Sequence, residues 1–168
     1  MPITHHASDL VFRARKLIDK GSVIKAAELC DAGAARLIDL RDVQELKDAG
    51  TIPTAYHAPR GMLEFWADPQ SPYHKYVFST DRKLILFCAS GMRPALSKKT
   101  LKDMVMTNVI DMEYGFTEWK MQGVPVEYLN YRRRASPATH SRRRERPAYG
   151  VKRGVKHRSG IRVYGQVV

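Results

Sequence analysis

Between Lys83 and Pro94 the chain reads Lys-Leu-Ile-Leu-Phe-Cys-Ala-Ser-Gly-Met-Arg-Pro, and this segment limits the fold more than any other. An uninterrupted apolar run of this length, closed by small residues, reads as a strand buried on both faces, as in a parallel sheet. Pro94 suits the first position of a helix, where a missing N–H costs nothing. Cys88 therefore enters a tight loop whose backbone amides can converge on one point, beside the positive end of a helix dipole. Those conditions lower a thiol's pKa and make it a nucleophile. Without them, a lone cysteine in an apolar setting is ordinary packing.

The rest of the chain up to residue 128 alternates short strands with short helices. Ser8 to Asp19 carries Leu10, Ala14, Leu17 and Ile18 at helical spacing, with Ser8 or Asp9 as the cap and Gly21 as the stop. An extended piece at Val23-Ile24 precedes a helix through Ala26, Ala27, Leu29 and Cys30, which places Cys30 among apolar neighbours as packing. Ala35 to Leu40 reads as a strand, and Val43 to Lys47 as a helix ended by Gly50. A further short strand follows Thr51–His57, and Gly61 to Trp66 has helical spacing. Lys83 to Phe87 is the central strand, Ala95 to Met106 a helix, Val109 to Met112 a strand, and Phe116 to Met121 a short helix. This alternation predicts an α/β domain with a mainly parallel central sheet and helices on both faces. The strand ends, and so the Cys88 loop, then lie at one edge of the sheet.

The basicity of the chain is localised. Of its 29 Lys and Arg residues, twelve lie from Arg132 onward with a single acid, Glu145, so almost all of the +12 net charge belongs to that segment. Before it stands a nearly neutral body of 17 basic and 16 acidic residues. The expected organisation is an N-terminal helical extension over 1–21, one domain over 22–128, and a flexible basic tail over 129–168 with too little apolar content to fold alone. Arginine-rich flexible segments make weak contact with nucleic acid without sequence preference. A solvated extension with no specific partner is the plainer reading. Two cysteines, Cys30 and Cys88, cannot build a disulfide framework, and the six histidines show no metal-ligand spacing. With no apolar stretch of membrane-spanning length and no secretory leader pattern, the expectation is a cytoplasmic protein without membrane contact, where a free thiol stays reduced.

In the loop itself, Cys88 and Arg93 are separated by four residues, giving Cys-x-x-Gly-x-Arg. Ala89 and Ser90 keep the turn small, Gly91 permits a backbone that other residues resist, Met92 continues the ring of amides, and Arg93 adds a fixed cation. The combination is a receiver for a small oxyanion or a charged sulfur around a nucleophile. A surface arginine at a helix start is the plainer account of Arg93, although the helix dipole disfavours a cation there.

With these residues in view, the chain resembles the rhodanese family of single-domain sulfurtransferases. Leu37-Ile38-Asp39-Leu40-Arg41-Asp42 is similar to the family's first signature, Gly50-Thr51-Ile52-Pro53-Thr54-Ala55 to its second, Cys88–Arg93 to its active loop, and Gly115-Phe116-Thr117-Glu118-Trp119 to its closing motif. Gly123-Val124-Pro125-Val126 follows as in the family. Thr51 stands in place of a usual histidine, and Thr54 and Tyr114 in place of glycines.

The resemblance implies a catalytic thiolate at Cys88 that takes a sulfane sulfur from a donor such as thiosulfate, and passes it to cyanide or a thiol. It implies that Ala89, Ser90, Gly91, Met92 and Arg93 bind substrate through loop donors. No metal or organic cofactor is implied. Asp39 and Arg41 are expected to fix the first loop, and Arg60 is a candidate for the mouth of the pocket. Two alternatives remain. One is a regulatory or sulfur-carrier module on the same fold, and the other a phosphatase or arsenate reductase-like enzyme, although tyrosine phosphatases have five residues between cysteine and arginine.

Overall fold

The structure, a computed structural model, describes residues 2–128. The expectations for the basic segment, 129–168, lie outside the described residues. Five strands form one parallel sheet: β1 (Lys20–Gly21), β2 (Ala35–Asp39), β3 (Tyr56–His57), β4 (Lys83–Phe87) and β5 (Val109–Met112). Their order across the sheet is β1-β5-β4-β2-β3. The central register pairs Ala35 with Lys83 and Asp39 with Phe87, so β2 and β4 end together and deliver their following loops to the same edge.

Six helices cover the sheet: α1 (Ala7–Arg15), α2 (Val23–Asp31), α3 (Val43–Ala49), α4 (Leu63–Ala67), α5 (Met92–Asp103) and α6 (Gly115–Met121). Side chains alternate across the strands, as the pleat requires. On one face Leu37, Ile85, Phe87 and Met112 meet Val23 and Ala26 of α2 and Phe116 and Trp119 of α6. On the other, Ile38, Leu84, Leu86 and Val109 meet Leu63 of α4 and Leu101 of α5. Burial on both faces explains why the β4 sequence is continuously apolar rather than alternating.

Several boundaries differ from the sequence reading, among them the third strand, which is Tyr56–His57 itself rather than a segment after it, and the first helix, which ends at Arg15 rather than Asp19. Val23-Ile24 opens α2 and is not extended; the strand lies earlier, at Lys20–Gly21, because Ser22 caps the helix by accepting a hydrogen bond from the Lys25 amide at 3.2 Å. The segment before Ser22 thus supplies an edge strand as well as a helix, and α1 packs on α5. His6, rather than Ser8 or Asp9, caps α1, and Asp9 Oδ2 accepts from the His6 amide at 3.0 Å. Helix α5 starts at Met92, so Pro94 is its third residue; it is tolerated there because the first-turn amides have no intrahelical acceptor.

Beneath the first loop lies a buried ion pair. Arg41 Nη2 donates to Asp39 Oδ2 at 2.6 Å and to the Gly50 carbonyl at 2.9 Å, and Arg41 Nε donates to Asp39 Oδ1 at 2.9 Å. The guanidinium sits 4.0 Å from the centroid of Phe116. These contacts give Asp39 and Arg41 the structural role expected of them.

Asp111 is a second buried acid, on β5. Burial pushes its carboxyl up to about 6, against the opposing pull of Arg15, Lys98 and Lys20. A carboxyl raised on folding contributes full stability below its unfolded value of 3.8, and that contribution is lost as pH rises toward 6. Asp111→Asn removes the titration. Measured by urea unfolding, the stability of this variant relative to the natural protein is expected to rise by on the order of 2–3 kcal/mol between pH 4 and pH 7.

Candidate active site

Cys88 directly follows β4, and its side chain is 1 % exposed. Ala89 and Ser90 form the turn, Gly91 is the N-cap of α5 in the left-handed region at φ 80°, and Met92 and Arg93 are the first two helical residues. The six residues singled out from the sequence therefore lie in one loop at the sheet's carboxyl edge.

Three of the loop carbonyls have recorded partners outside the loop. Cys88 O accepts from the Phe116 amide at 2.7 Å. Ala89 O accepts from the Thr117 amide at 3.0 Å and from Thr117 Oγ1 at 2.9 Å. Gly91 O accepts from Arg15 Nη2 at 3.3 Å. A trans peptide bond is planar, so the N–H that follows each carbonyl points the opposite way. The amides of Ala89, Ser90 and Met92 are thereby turned away from α6 and α1. Among the described residues, none of these three donates to a recorded acceptor.

Gly115 makes that arrangement sterically feasible. It has φ 58°, and a Cβ placed on it would collide with the Cys88 carbonyl oxygen. The N-terminus of α6 can approach the loop only because that position carries no side chain.

Arg93 is not free. Its Nη1 and Nη2 donate to Glu45 Oε2 and Oε1, each at 2.7 Å, in a bidentate pair. Glu45 is fixed from its own side, since Oε2 also accepts from the amide of Asp42, the N-cap of α3. The Arg93 hydrogen bonds chiefly hold the Glu45 carboxyl down at about 2, overcoming partial desolvation. Arg93 is correspondingly held above its usual value, first by Glu45 and, after an opposing desolvation, by the nearby Cys88. The donor fork expected to receive an anion is thus engaged by a carboxylate.

Beside the loop opens a cleft of about 450 Å³, lined among others by Arg41, Glu45, Ala89, Phe116, Thr117 and Lys120. Arg41 on its lining is paired with Asp39, and Glu45 on its lining is paired with Arg93. Lys120 is exposed, lies 5.9 Å from the Phe116 ring centroid, and forms no ion pair among the described residues. Met92, Tyr114 and Met121 are large apolar side chains left exposed nearby in sequence, at 55, 59 and 76 %.

Arg60 is bound to Glu64 at 2.6 Å and is not among the residues lining the cleft. Cys30 belongs to the opposite edge: it lies in the last turn of α2, before β2 begins, whereas Cys88 follows the end of β4. Burial raises the pKa of the Cys30 thiol. Among the described residues no group of three or more His, Cys, Asp or Glu is placed to hold a metal ion, and no helix is long and apolar enough to cross a membrane.

The family model for the rhodanese-like domain matches residues 22–122. The chain belongs to the rhodanese-like domain family. Among solved structures, it is 39 % identical to a Rhodopseudomonas palustris protein of unknown function described as a possible tyrosine phosphatase, over 76 % of this chain and 98 % of that one, with a TM-score of 0.72. The polysulfide-sulfur transferase of Wolinella succinogenes is 26 % identical over 74 % of this chain and 89 % of its own, with a TM-score of 0.55. The human single-domain sulfurtransferase TSTD1 is 25 % identical over 61 % of this chain and 96 % of its own, with a TM-score of 0.51. The search of curated proteins gave no match.

Seen as a rhodanese-like domain, the chain carries three site residues that the sequence reading did not single out. Glu45 had a local signal, standing three residues after a capping Asp42, but its pairing with Arg93 bridges two distant loops. Lys120 and Arg15 had none. Gly115→Ala tests the packing of α6 on the loop. It is expected to cost roughly 1–3 kcal/mol more in thermal or urea unfolding than Gly33→Ala, which also has a positive φ but meets nothing within 4 Å.

Proposed function

We propose that this rhodanese-like protein is a sulfurtransferase with Cys88 as its nucleophile. The observation that carries the reading is the outward anchoring of the Cys88, Ala89 and Gly91 carbonyls, which leaves loop amides unpartnered beside a cysteine. Donors fixed in advance stabilise a charged sulfur without reorganising. The helix dipole of α5 and the Arg93 charge act in the same direction.

In the first step the Cys88 thiolate attacks the outer sulfur of thiosulfate. An S–S bond forms on the enzyme, the sulfur–sulfur bond of the donor breaks, and sulfite leaves with the electron pair. Cys88 then carries a persulfide whose terminal sulfur bears the charge. In the second step cyanide, or a thiolate, attacks that terminal sulfur and the Cys88 thiolate is regenerated. Charge and atoms balance without a metal or organic cofactor, and a reducing compartment keeps the thiol available. Ala89, Ser90, Gly91 and Met92 serve through their backbone, and Arg93 as a fixed charge held by Glu45.

Intact mass spectrometry after incubation with thiosulfate tests this directly. The expected result is a gain of one sulfur atom, lost on adding cyanide, absent in Cys88→Ser and retained in Cys30→Ser. A persulfide that forms but is not passed on to cyanide or thiols would identify a sulfur-carrier or regulatory module. Turnover of an aryl phosphate, with no sulfur gained, would instead establish the phosphatase chemistry named for the Rhodopseudomonas relative.

The donor's sulfonate end is best met by a cation, and Arg41 of the cleft lining and Arg93 of the loop are both paired. We assign that task to Lys120, the unpaired cation on the cleft wall. Lys120→Gln is expected to raise KM for thiosulfate roughly two- to tenfold with little change in kcat, and Lys120→Arg to restore it; steady-state assay at fixed cyanide reads the difference.

A further inference from the structure

Outside the cleft, two buried ionisable side chains and one half-buried arginine meet between α1, α5 and β5. Asp111 is buried on the same sheet face as Val109, which packs against α5. Lys98 of α5 is buried and donates from Nζ to the Asp19 carbonyl at 2.6 Å. Arg15, the last residue of α1, donates from Nη2 to the carbonyl of Gly91. The groups acting on Asp111 are Arg15 from α1, Lys98 from α5, Lys20 from β1, and Glu113 just past β5. Lys20 is paired with Glu113 at 3.0 Å, which leaves Asp111 facing Arg15 and Lys98. Arg15 Nε and Asp111 Oδ1 are both buried with no hydrogen-bond partner. The guanidinium is therefore placed by its neighbours' charge on one side and by a loop carbonyl on the other.

That carbonyl has a hold from outside the loop. The Cys88 and Ala89 carbonyls are fixed by α6 amides, whereas no α6 hydrogen bond to the Gly91 carbonyl is recorded. Gly91 caps α5 and lies tight against the Tyr114 backbone, so the peptide joining Gly91 to Met92 is already confined, and a hydrogen bond to its oxygen sets its final tilt. Arg15 Nη2 is the donor recorded for that oxygen, and it carries a full charge.

We propose that Arg15 is a positioning residue for the reactive loop: from a helix lying wholly before the residues matched by the family model, it fixes the Gly91 carbonyl and so turns the Met92 amide into the loop around Cys88. The inference rests on the proposed role of Cys88 as a nucleophile, but its readout does not require sulfur transfer. α1 is then part of the site's construction, and its boundary with the family domain is not a functional one.

The test uses the full chain in a Cys30→Ser background, reduced, with no sulfur donor present. The rate of Cys88 alkylation by iodoacetamide is followed against pH, and the midpoint of the profile reports the thiolate's stabilisation, whereas its plateau reports access. Arg15→Met is expected to raise the midpoint by about half a unit or more, which lowers alkylation about threefold at a pH below it. Arg15→Lys is expected to recover part of the shift. Arg13→Met, the same charge change on an exposed position of α1, is expected to leave the midpoint in place. A natural midpoint in folded Arg15→Met, or an equal shift in Arg13→Met, overturns the proposal. If Arg15→Met fails to fold, Arg15→Gln and Arg15→Lys decide it: a larger shift in Gln than in Lys supports the proposal, and equal, unshifted midpoints reject it. Failure of thiosulfate to load Cys88 with sulfur would sink the sulfurtransferase reading while leaving this measurement standing.

Discussion

The peptide planes after Cys88 and Ala89 govern the geometry of the site. Their carbonyls are bound by the Phe116 and Thr117 amides, and the amides that follow are forced to the other side. Four-residue turns between a strand and a helix have other conformations available, and the one adopted here depends on α6 arriving at the loop with its first amides unoccupied. Those amides are free for this purpose because the first turn of any helix has no internal acceptor for them. The positive φ of Gly115 then sets the approach distance.

This contact also accounts for why sequence motifs far apart in the chain occur together. Asp39 fixes Arg41 by three hydrogen bonds, Arg41 lies against the Phe116 ring, and the Phe116 amide holds the Cys88 carbonyl. The first motif thus supports the last, and the last orients the loop. A buried ion pair is a poor source of net stability, since desolvation offsets much of the attraction. It does specify a geometry sharply, because a guanidinium that also donates to Gly50 O and stacks on an aromatic ring has few alternative placements.

Most of the architecture was legible because it follows from short-range patterns. The β4 run, the β2 and β5 segments and the helix between Asp42 and Gly50 have lengths and end signals that a reader can match to elements without knowing the fold. The main discrepancy has a long-range cause. Ser22 could open a helix or follow a strand, and the choice was settled by Lys20–Gly21 pairing with β5, a contact some ninety residues away in the chain. The roles of Arg15 and Asp111, and the pairing of Glu45 with Arg93, could not be read locally, since each acts on a group brought near only by the completed fold. Thr54 and Tyr114, noted as departures from glycine, adopt φ values of 66° and 58°. The fold has kept the glycine backbone at both positions although the side chains changed, which places a strained β-branched residue at one of them.

The pairing of Arg93 bears on the choice between sulfur and phosphoryl chemistry. A phosphoryl group in transfer carries charge on several oxygens and needs a planar donor fork aimed at them. Here both terminal nitrogens of the loop arginine are engaged by Glu45, a carboxylate itself tied to the N-terminus of α3, and freeing them would break two short hydrogen bonds and leave a carboxylate without its main partner. A persulfide makes no such demand. Its charge resides on a single terminal sulfur, which backbone amides converging from a short loop can meet without a side chain. A site whose loop amides are left open while its loop arginine is already satisfied suits the single charged sulfur of a persulfide, with the oxygens of an incoming donor left to Lys120 at the cleft, and that division favours the proposed sulfur transfer even beside a relative described in the other terms.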